Sequence, residues 1–136
     1  MQLNPYLMFD GQCEEAFKYY EEVLGGKITF KMTFAESPAA AEVPPDAQNR
    51  IIHATLALGE GVLMASDCPP GRYEKPRGVY ISIHVKDIAE GERIFNALSN
   101  GGTVQMPYEQ TFWAARFGMC VDRFGTPWMI NCEGAS

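Results

Sequence analysis

The sequence predicts an α+β protein of two tandem βαβββ modules, whose curved mixed sheets surround a cavity. Three observations predict it. Two amphipathic helical stretches each follow a short apolar strand and end at a glycine pair. Each is followed by three more strand-like runs. The two halves also match one another at fixed offsets, the mark of an internal duplication. The chain of 136 residues reads as one domain, with module one at about 1–69 and module two at about 77–136.

The first strand is PYLMF, followed by the helix CEEAFKYYEEVLGG. There Ala16, Phe17, Tyr20, Val23 and Leu24 fall on one face, and Glu14, Glu15, Lys18, Glu21 and Glu22 on the other. Gly25-Gly26 ends the helix, as glycines at a C-terminus do. The strands KITFKMTF, RIIHATLAL and GVLMASD complete the half. In the second half the strand VYISIHV leads into DIAEGERIFNALSNGG. Asp87 and Glu90 have capping-box spacing with Asp87 as the cap, and Ile88, Ile94, Phe95 and Leu98 form the apolar face. TVQMPY, RFGMCVD and TPWMINCE follow as strands.

Set against each other, the halves match at an offset of 75 up to the helix end: Met8 with Ile83, Tyr20 with Phe95, Gly26 with Gly101. The closing hairpins match at an offset of 66: Gly59 with Gly125, Leu63-Met64 with Met129-Ile130, Asp67 with Glu133. The nine-residue difference falls in the Ala/Pro-rich loop 35–49, which is expected to be a flexible excursion able to act as a lid.

Composition narrows the function. An apolar content of 46% with 21% charged residues is that of a soluble globule. The net charge of −6 and the absence of a Lys/Arg run argue against nucleic acid. No apolar run is long enough to span a bilayer, and the first residues carry no secretory signal. Cys13, Cys68, Cys120 and Cys132 include no C-x-x-C pair, which fits reduced thiols in the cytoplasm. Cys13, in a helix first turn, is either a thiolate favoured by the dipole or a small buried residue.

The stretches PYLMFDGQCEEAFKYYEEVLGG, HATLALGEGVLMASD and FWAARFGMCVDRFGTPWMINCE resemble the PhnB-like branch of the vicinal oxygen chelate superfamily, which includes glyoxalases, bleomycin-resistance proteins and extradiol dioxygenases. The resemblance spans nearly the whole chain except the Ala/Pro-rich loop. One departure is Trp113-Ala114-Ala115, where that branch usually carries Trp-Gly-Asp. The branch also carries the label demethylubiquinone methyltransferase. A nucleotide-type cofactor would need a Gly-rich turn between strand and helix. The one G-x-G here, Gly59-Glu60-Gly61, lies between two strands and reads as a hairpin turn.

Metal-using relatives take a His, Gln or Glu ligand from the first and last strand of each module. Carried onto this chain, those slots fall near Pro5 or Tyr6, near Leu63, near Ile81 and near Met129. None holds a His or a carboxylate within one residue, so no metal and no other cofactor is expected. His53 and His84 sit inside apolar strands and read as hydrogen-bonded strand histidines. Asp67 and Glu133 lie four residues beyond the lost slots, either at the cavity rim or as solvated strand ends.

Strand parity nominates Tyr6, Met8, Leu63, Ala65, Ile81, Met129 and Asn131 as cavity lining. Phe112, Trp113 and Arg116 cover it from the loop between the second and third strands of module two. Apolar walls with few polar groups suit a small organic ligand, with a planar ring stacked on Trp113 or Phe112. Arg116 either pairs an anion or salt-bridges Glu109 or Asp122. Three functions stay open. They are a small-molecule binding protein, an enzyme acting through Asp67, His53 or Glu133 or through an unusual metal, and a dimeric interaction module with a vestigial cavity. The resemblance implies a homodimer.

Overall fold

The computed structural model describes residues 1–134 and divides into two compact units, Met1–Glu74 and the remainder from Lys75. The first holds β1 (Tyr6–Phe9), α1 (Cys13–Leu24), β2 (Lys27–Thr33), β3 (Ile51–Leu58) and β4 (Gly61–Asp67). The second holds β5 (Ile81–Val85), α2 (Ile88–Ser99), β6 (Thr103–Glu109), β7 (Arg116–Val121) and β8 (Pro127–Cys132). This is the expected β-α-β-β-β order, twice. Each unit has one four-stranded mixed sheet, ordered β1-β4-β3-β2 and β5-β8-β7-β6. The first and last strands of each unit run parallel, and the other pairs are antiparallel.

Each helix covers one face of its own sheet. From α1, Cys13, Ala16, Phe17, Tyr20 and Val23 are buried, and Phe17 meets Phe9 of β1 edge-on at 6.4 Å. Strand register then assigns the rest of that face. Phe9 pairs with Asp67 and Leu7 with Ala65, Ala65 faces Ala54, and Leu63 faces Leu56. Except for the partly exposed Leu7, all of these are buried. From α2, Gly91, Ile94, Phe95 and Leu98 are buried over Trp128, Ile130 and Cys132 of β8. Gly118 of β7 lets the Phe95 ring approach; a Cβ there would collide with it. Asp87 caps α2 as expected, its carboxylate accepting the Glu90 N–H at 3.0 Å, while the Glu90 side chain pairs with Arg93.

The duplication is real, but its register differs by one residue from the sequence match. The left-handed glycines after the helices are Gly25 and Gly101. Gly26 and Gly102 then pass so close to a facing strand that a Cβ would strike the Ala57 or the Val121 carbonyl oxygen. Glycines therefore correspond at an offset of 76. The strand pair Tyr6–Met64 likewise corresponds to Ser82–Met129, at offsets of 76 and 65. The helices alone keep 75, because two residues rather than three join β5 to α2 and Asn100 is added at its end. The second hairpin is also longer by one residue, closed by Asp122 and Thr126 rather than by Leu58 and Gly61. A slip of one residue turns every side chain of a strand to the opposite face.

The loop 35–49 is built rather than free. Two 3-10 turns, Ala40–Glu42 and Pro45–Ala47, fold over a small apolar cluster of Phe34, Val43 and Ala47. The Gln48 side-chain amide donates to the Ala40 and Val43 carbonyls, and Ala35 N–H donates to Gln48 O. This ordering replaces the expected flexible excursion. Short apolar residues and prolines supply a local core that composition alone hides.

Candidate functional site

In each unit the sheet face opposite the helix is the one that carries accessible side chains of mixed chemistry. On the first sheet, register puts Tyr6, Met8, Met64, Ser66, Thr55 and Phe30 on that face. Tyr6 and Met8 are 45% and 40% exposed. At the centre lies His53. Its Nδ1 is 2.9 Å from the Tyr6 hydroxyl and its Nε2 is 3.2 Å from the Thr55 hydroxyl. Tyr6 stacks on the imidazole at 5.6 Å, and Phe30 leans on it at 5.7 Å. Burial pushes the Tyr6 phenol above its usual value, against a hydrogen bond with Ser66 that lowers it, and Cys13 raises it further. The phenol therefore stays protonated at neutral pH and can donate.

On the second sheet a row of neighbours crosses three strands: His84 pairs with Asn131, and Asn131 with Phe117. The next row is Ser82, Met129, Met119 and Met106. Ser82 and Asn131 hold the exposed His84 ring from either side, at 3.2 Å each. Trp113 lies edge-on to Phe117 at 5.3 Å and to Phe112 at 4.7 Å. Trp113 is half exposed and Phe112 almost wholly so. Register thus puts Tyr6 and Met8 on the open face of the first sheet and Met129 and Asn131 on that of the second, where Trp113 packs on Phe117 and Phe112 on Trp113.

Other expected lining residues point the other way. Leu63 and Ala65 are buried on the α1 face, and Met64 and Ser66 take their place on the open one. Ile81 pairs with Trp128 on the α2 face, so Ser82 is its open-face neighbour. Arg116 pairs with the buried Cys132, on the face opposite Phe117, and its guanidinium donates to Ala115 O at 2.7 Å. Among the described residues it pairs with neither Glu109 nor Asp122, since the Asp122 carboxylate instead accepts from Phe124 N, Thr126 N and Trp128 Nε1. The one-residue register error accounts for Leu63 and Ile81. Anchoring the two halves on Gly26 and Gly102 gives Ser82, and aligning the hairpins at 65 rather than 66 gives Met64 and Ser66.

Asp67 is no rim base. It is 1% exposed, and its oxygens accept backbone N–H groups from Gly11, Cys13 and Ile51 at 2.8–3.0 Å. It satisfies the start of α1, whose own N-cap residue Gln12 makes no side-chain cap. Glu133 is exposed and lines a groove of about 510 Å³ with His84, Val85, Lys86 and Gly134. Cys13 is fully buried, and burial, with Asp67 and Glu14 behind it, pushes its thiol up, which removes the thiolate alternative.

The donor set does not suit a divalent cation. At the slots where metal-using relatives place their ligands, the open-face residues of the first and last strands are Tyr6 and Met64 in one unit and Ser82 and Met129 in the other; Met8 and Ser66, and His84 and Asn131, lie two residues further along. Thioethers and hydroxyls are poor ligands for such ions beside imidazole and carboxylate. Among the described residues no three His, Cys, Asp or Glu side chains converge as ligands. Gly59-Glu60-Gly61 turns a hairpin, with Gly59 left-handed and Leu58 paired to Gly61.

A family model described as 3-demethylubiquinone-9 3-methyltransferase matches residues 1–131. Protein YjdN of Escherichia coli K12 is 35% identical over 139 residues, covering 96% of this chain and 95% of its own. The crystal structure of protein PA1353 from Pseudomonas aeruginosa is similar at 50% identity, with a TM-score of 0.90 over 98% of each chain. A putative 3-demethylubiquinone-9 3-methyltransferase, PhnB protein, from Bacillus cereus shares the fold at 20% identity, with a TM-score of 0.82 over 97% of this chain and 99% of its own.

Proposed function

The chain belongs to the family described as 3-demethylubiquinone-9 3-methyltransferase, the PhnB-like branch of the vicinal oxygen chelate superfamily, and from that membership we propose that it binds a small organic molecule on its open sheet faces without the superfamily's metal. One observation carries the reading. The faces turned away from the helices combine exposed aromatic and thioether side chains with a few oriented polar groups. Apolar walls with sparse, fixed polar groups are how small-molecule sites are built. We do not extend the methyl transfer in the family's description to this chain, whose Gly59-Glu60-Gly61 forms a strand-to-strand turn rather than a strand-to-helix phosphate loop.

Thermal-shift screening against aromatic and anionic compounds, with S-adenosylmethionine as a separate arm, tests this. A ligand at 100 times its Kd stabilises by about 2.7 kcal/mol, which is readily visible. Stabilisation by aromatic members supports the reading. No stabilisation by any member overturns it, and a shift with S-adenosylmethionine alone turns the reading toward the methyl transfer of the family's description.

A second reading rests on Tyr6, His53 and Thr55. Once the Tyr6 hydroxyl turns from His53 Nδ1 to donate to a bound carbon acid, that nitrogen is free to take the substrate's proton, with Thr55 holding the ring at Nε2. Turnover abolished in His53→Gln and in Tyr6→Phe, with ligand affinity kept, would establish acid–base catalysis. We further propose a cytoplasmic homodimer. The four unpaired thiols fit a reducing compartment, and sedimentation at micromolar concentration tests the dimer.

A further inference from the structure

Asn131 presents an unanswered polar atom. The residue is 7% exposed, its amide nitrogen meets His84 Nδ1, and among the described residues its Oδ1 has no hydrogen-bond partner. A buried amide oxygen without a partner is costly, and few are tolerated in a folded chain. Its place in the sheet is informative. Phe117 is its direct neighbour on β7, on the same face, and Phe117 carries the Trp113 ring. Two residues back along β8, Met129 opens the thioether row with Met119 and Met106. Neighbouring strands are about 4.8 Å apart, so the amide oxygen lies within one ring's width of an aromatic and thioether bed.

From this juxtaposition we infer that the open face of the second sheet is a subsite for a planar aromatic ligand bearing an N–H or O–H donor on its edge, and that Asn131 Oδ1 reads that donor. The inference rests on the small-molecule reading and specifies its ligand class. The ring lies against Trp113 and Phe117 with its other edge on the methionine sulfurs, contacts that both ring types favour. Met129 lies two residues from Asn131 on the same face of β8, and its unbranched side chain can turn aside to admit the donor. A site that hydrogen-bonds a polar group discriminates against an analogue lacking it far more than an apolar pocket discriminates by size.

The test is isothermal titration calorimetry with matched probes: indole against N-methylindole, 2-naphthol against 2-methoxynaphthalene, and quinoline as an acceptor-only ring. The wild-type chain is expected to bind each donor at least tenfold more tightly than its methylated partner. Asn131→Ala is expected to bring each ratio to about one while the methylated probes keep their affinity. The wild-type ratios decide the matter even where the variant folds poorly. Equal binding within the pairs overturns the role of Asn131 and leaves a small-molecule protein. Tighter binding of quinoline than of the donors overturns it as well. If compounds stabilise the protein in the thermal screen and none of these rings binds, the subsite falls and the wider reading stands. If nothing binds in either experiment, both fall.

Discussion

The carboxylate of Asp67 lies 3.0 Å from the backbone nitrogen of Cys13 and accepts its hydrogen, so the end of β4 caps the start of α1. The same side chain accepts from Gly11 and, through its other oxygen, from Ile51. It therefore holds the first connection, the helix and the start of β3 together from a single buried position.

Asp67→Asn puts an amide hydrogen where a backbone N–H is donating. Hydrogen bonds to a charged group contribute about 1.5–3 kcal/mol each, so a loss of at least about 3 kcal/mol is expected. Urea unfolding measures it. A change under 1 kcal/mol would show that the three contacts are not holding the fold.

Gly26 and Gly102 are expected to be far less replaceable than Gly25. A Cβ at either of the first two strikes a carbonyl of a facing strand, whereas at Gly25 it meets nothing and only the left-handed φ of 75° opposes it. Gly26→Ala and Gly102→Ala should each cost more than about 2 kcal/mol by overpacking against backbone. Gly25→Ala should cost about 1 kcal/mol. Urea midpoints of the three variants rank them directly.

Stability should fall above pH 9. Burial, with Asp122 behind it, holds the Cys120 thiol up at about 12, against an ordinary 9.0, and Cys13 is also raised. In the unfolded chain these thiols release protons near 9, while the folded chain retains them. The stabilisation is thus complete below pH 9 and is lost as pH rises toward the folded values. Each thiol contributes a slope of about 1.4 kcal/mol per pH unit across that window. Denaturation at pH 7.5, 9 and 10.5 gives the slope, and Cys120→Ala should remove one thiol's share of it.

The two tryptophans should separate cleanly by fluorescence. Trp128 is fully buried with its indole N–H donated to Asp122 at 2.8 Å, whereas Trp113 is half exposed. Trp113→Phe should leave a blue-shifted emission that iodide barely quenches and change stability by no more than about 0.5 kcal/mol. Strong residual quenching would mean that Trp128 is accessible.

Much of this molecule can be read from its residues. Apolar spacing and glycine pairs give the helices, and the two-fold repeat gives the strand order, because both depend on periodicity within a short window. The faces of the strands depend instead on pairing between segments far apart. There a join one residue shorter between β5 and α2, and one residue added in the second hairpin, put Ile81 and Leu63 on the opposite side. The role of Asp67 was hidden for the same reason: its partners lie up to 56 positions away. Trp113, Phe112 and Tyr6 were legible because large aromatic residues near strand ends stand out without any knowledge of register.

The two helices begin under different conditions when the chain is made in order. The second has Asp87 just ahead of it and can close its first turn with what already precedes it. The first takes its anchoring carboxylate from a residue 54 positions later than Cys13. Synthesis must therefore run through the whole of β4 before α1 gains its anchor, and the earlier half of the chain completes its helix only when that half ends.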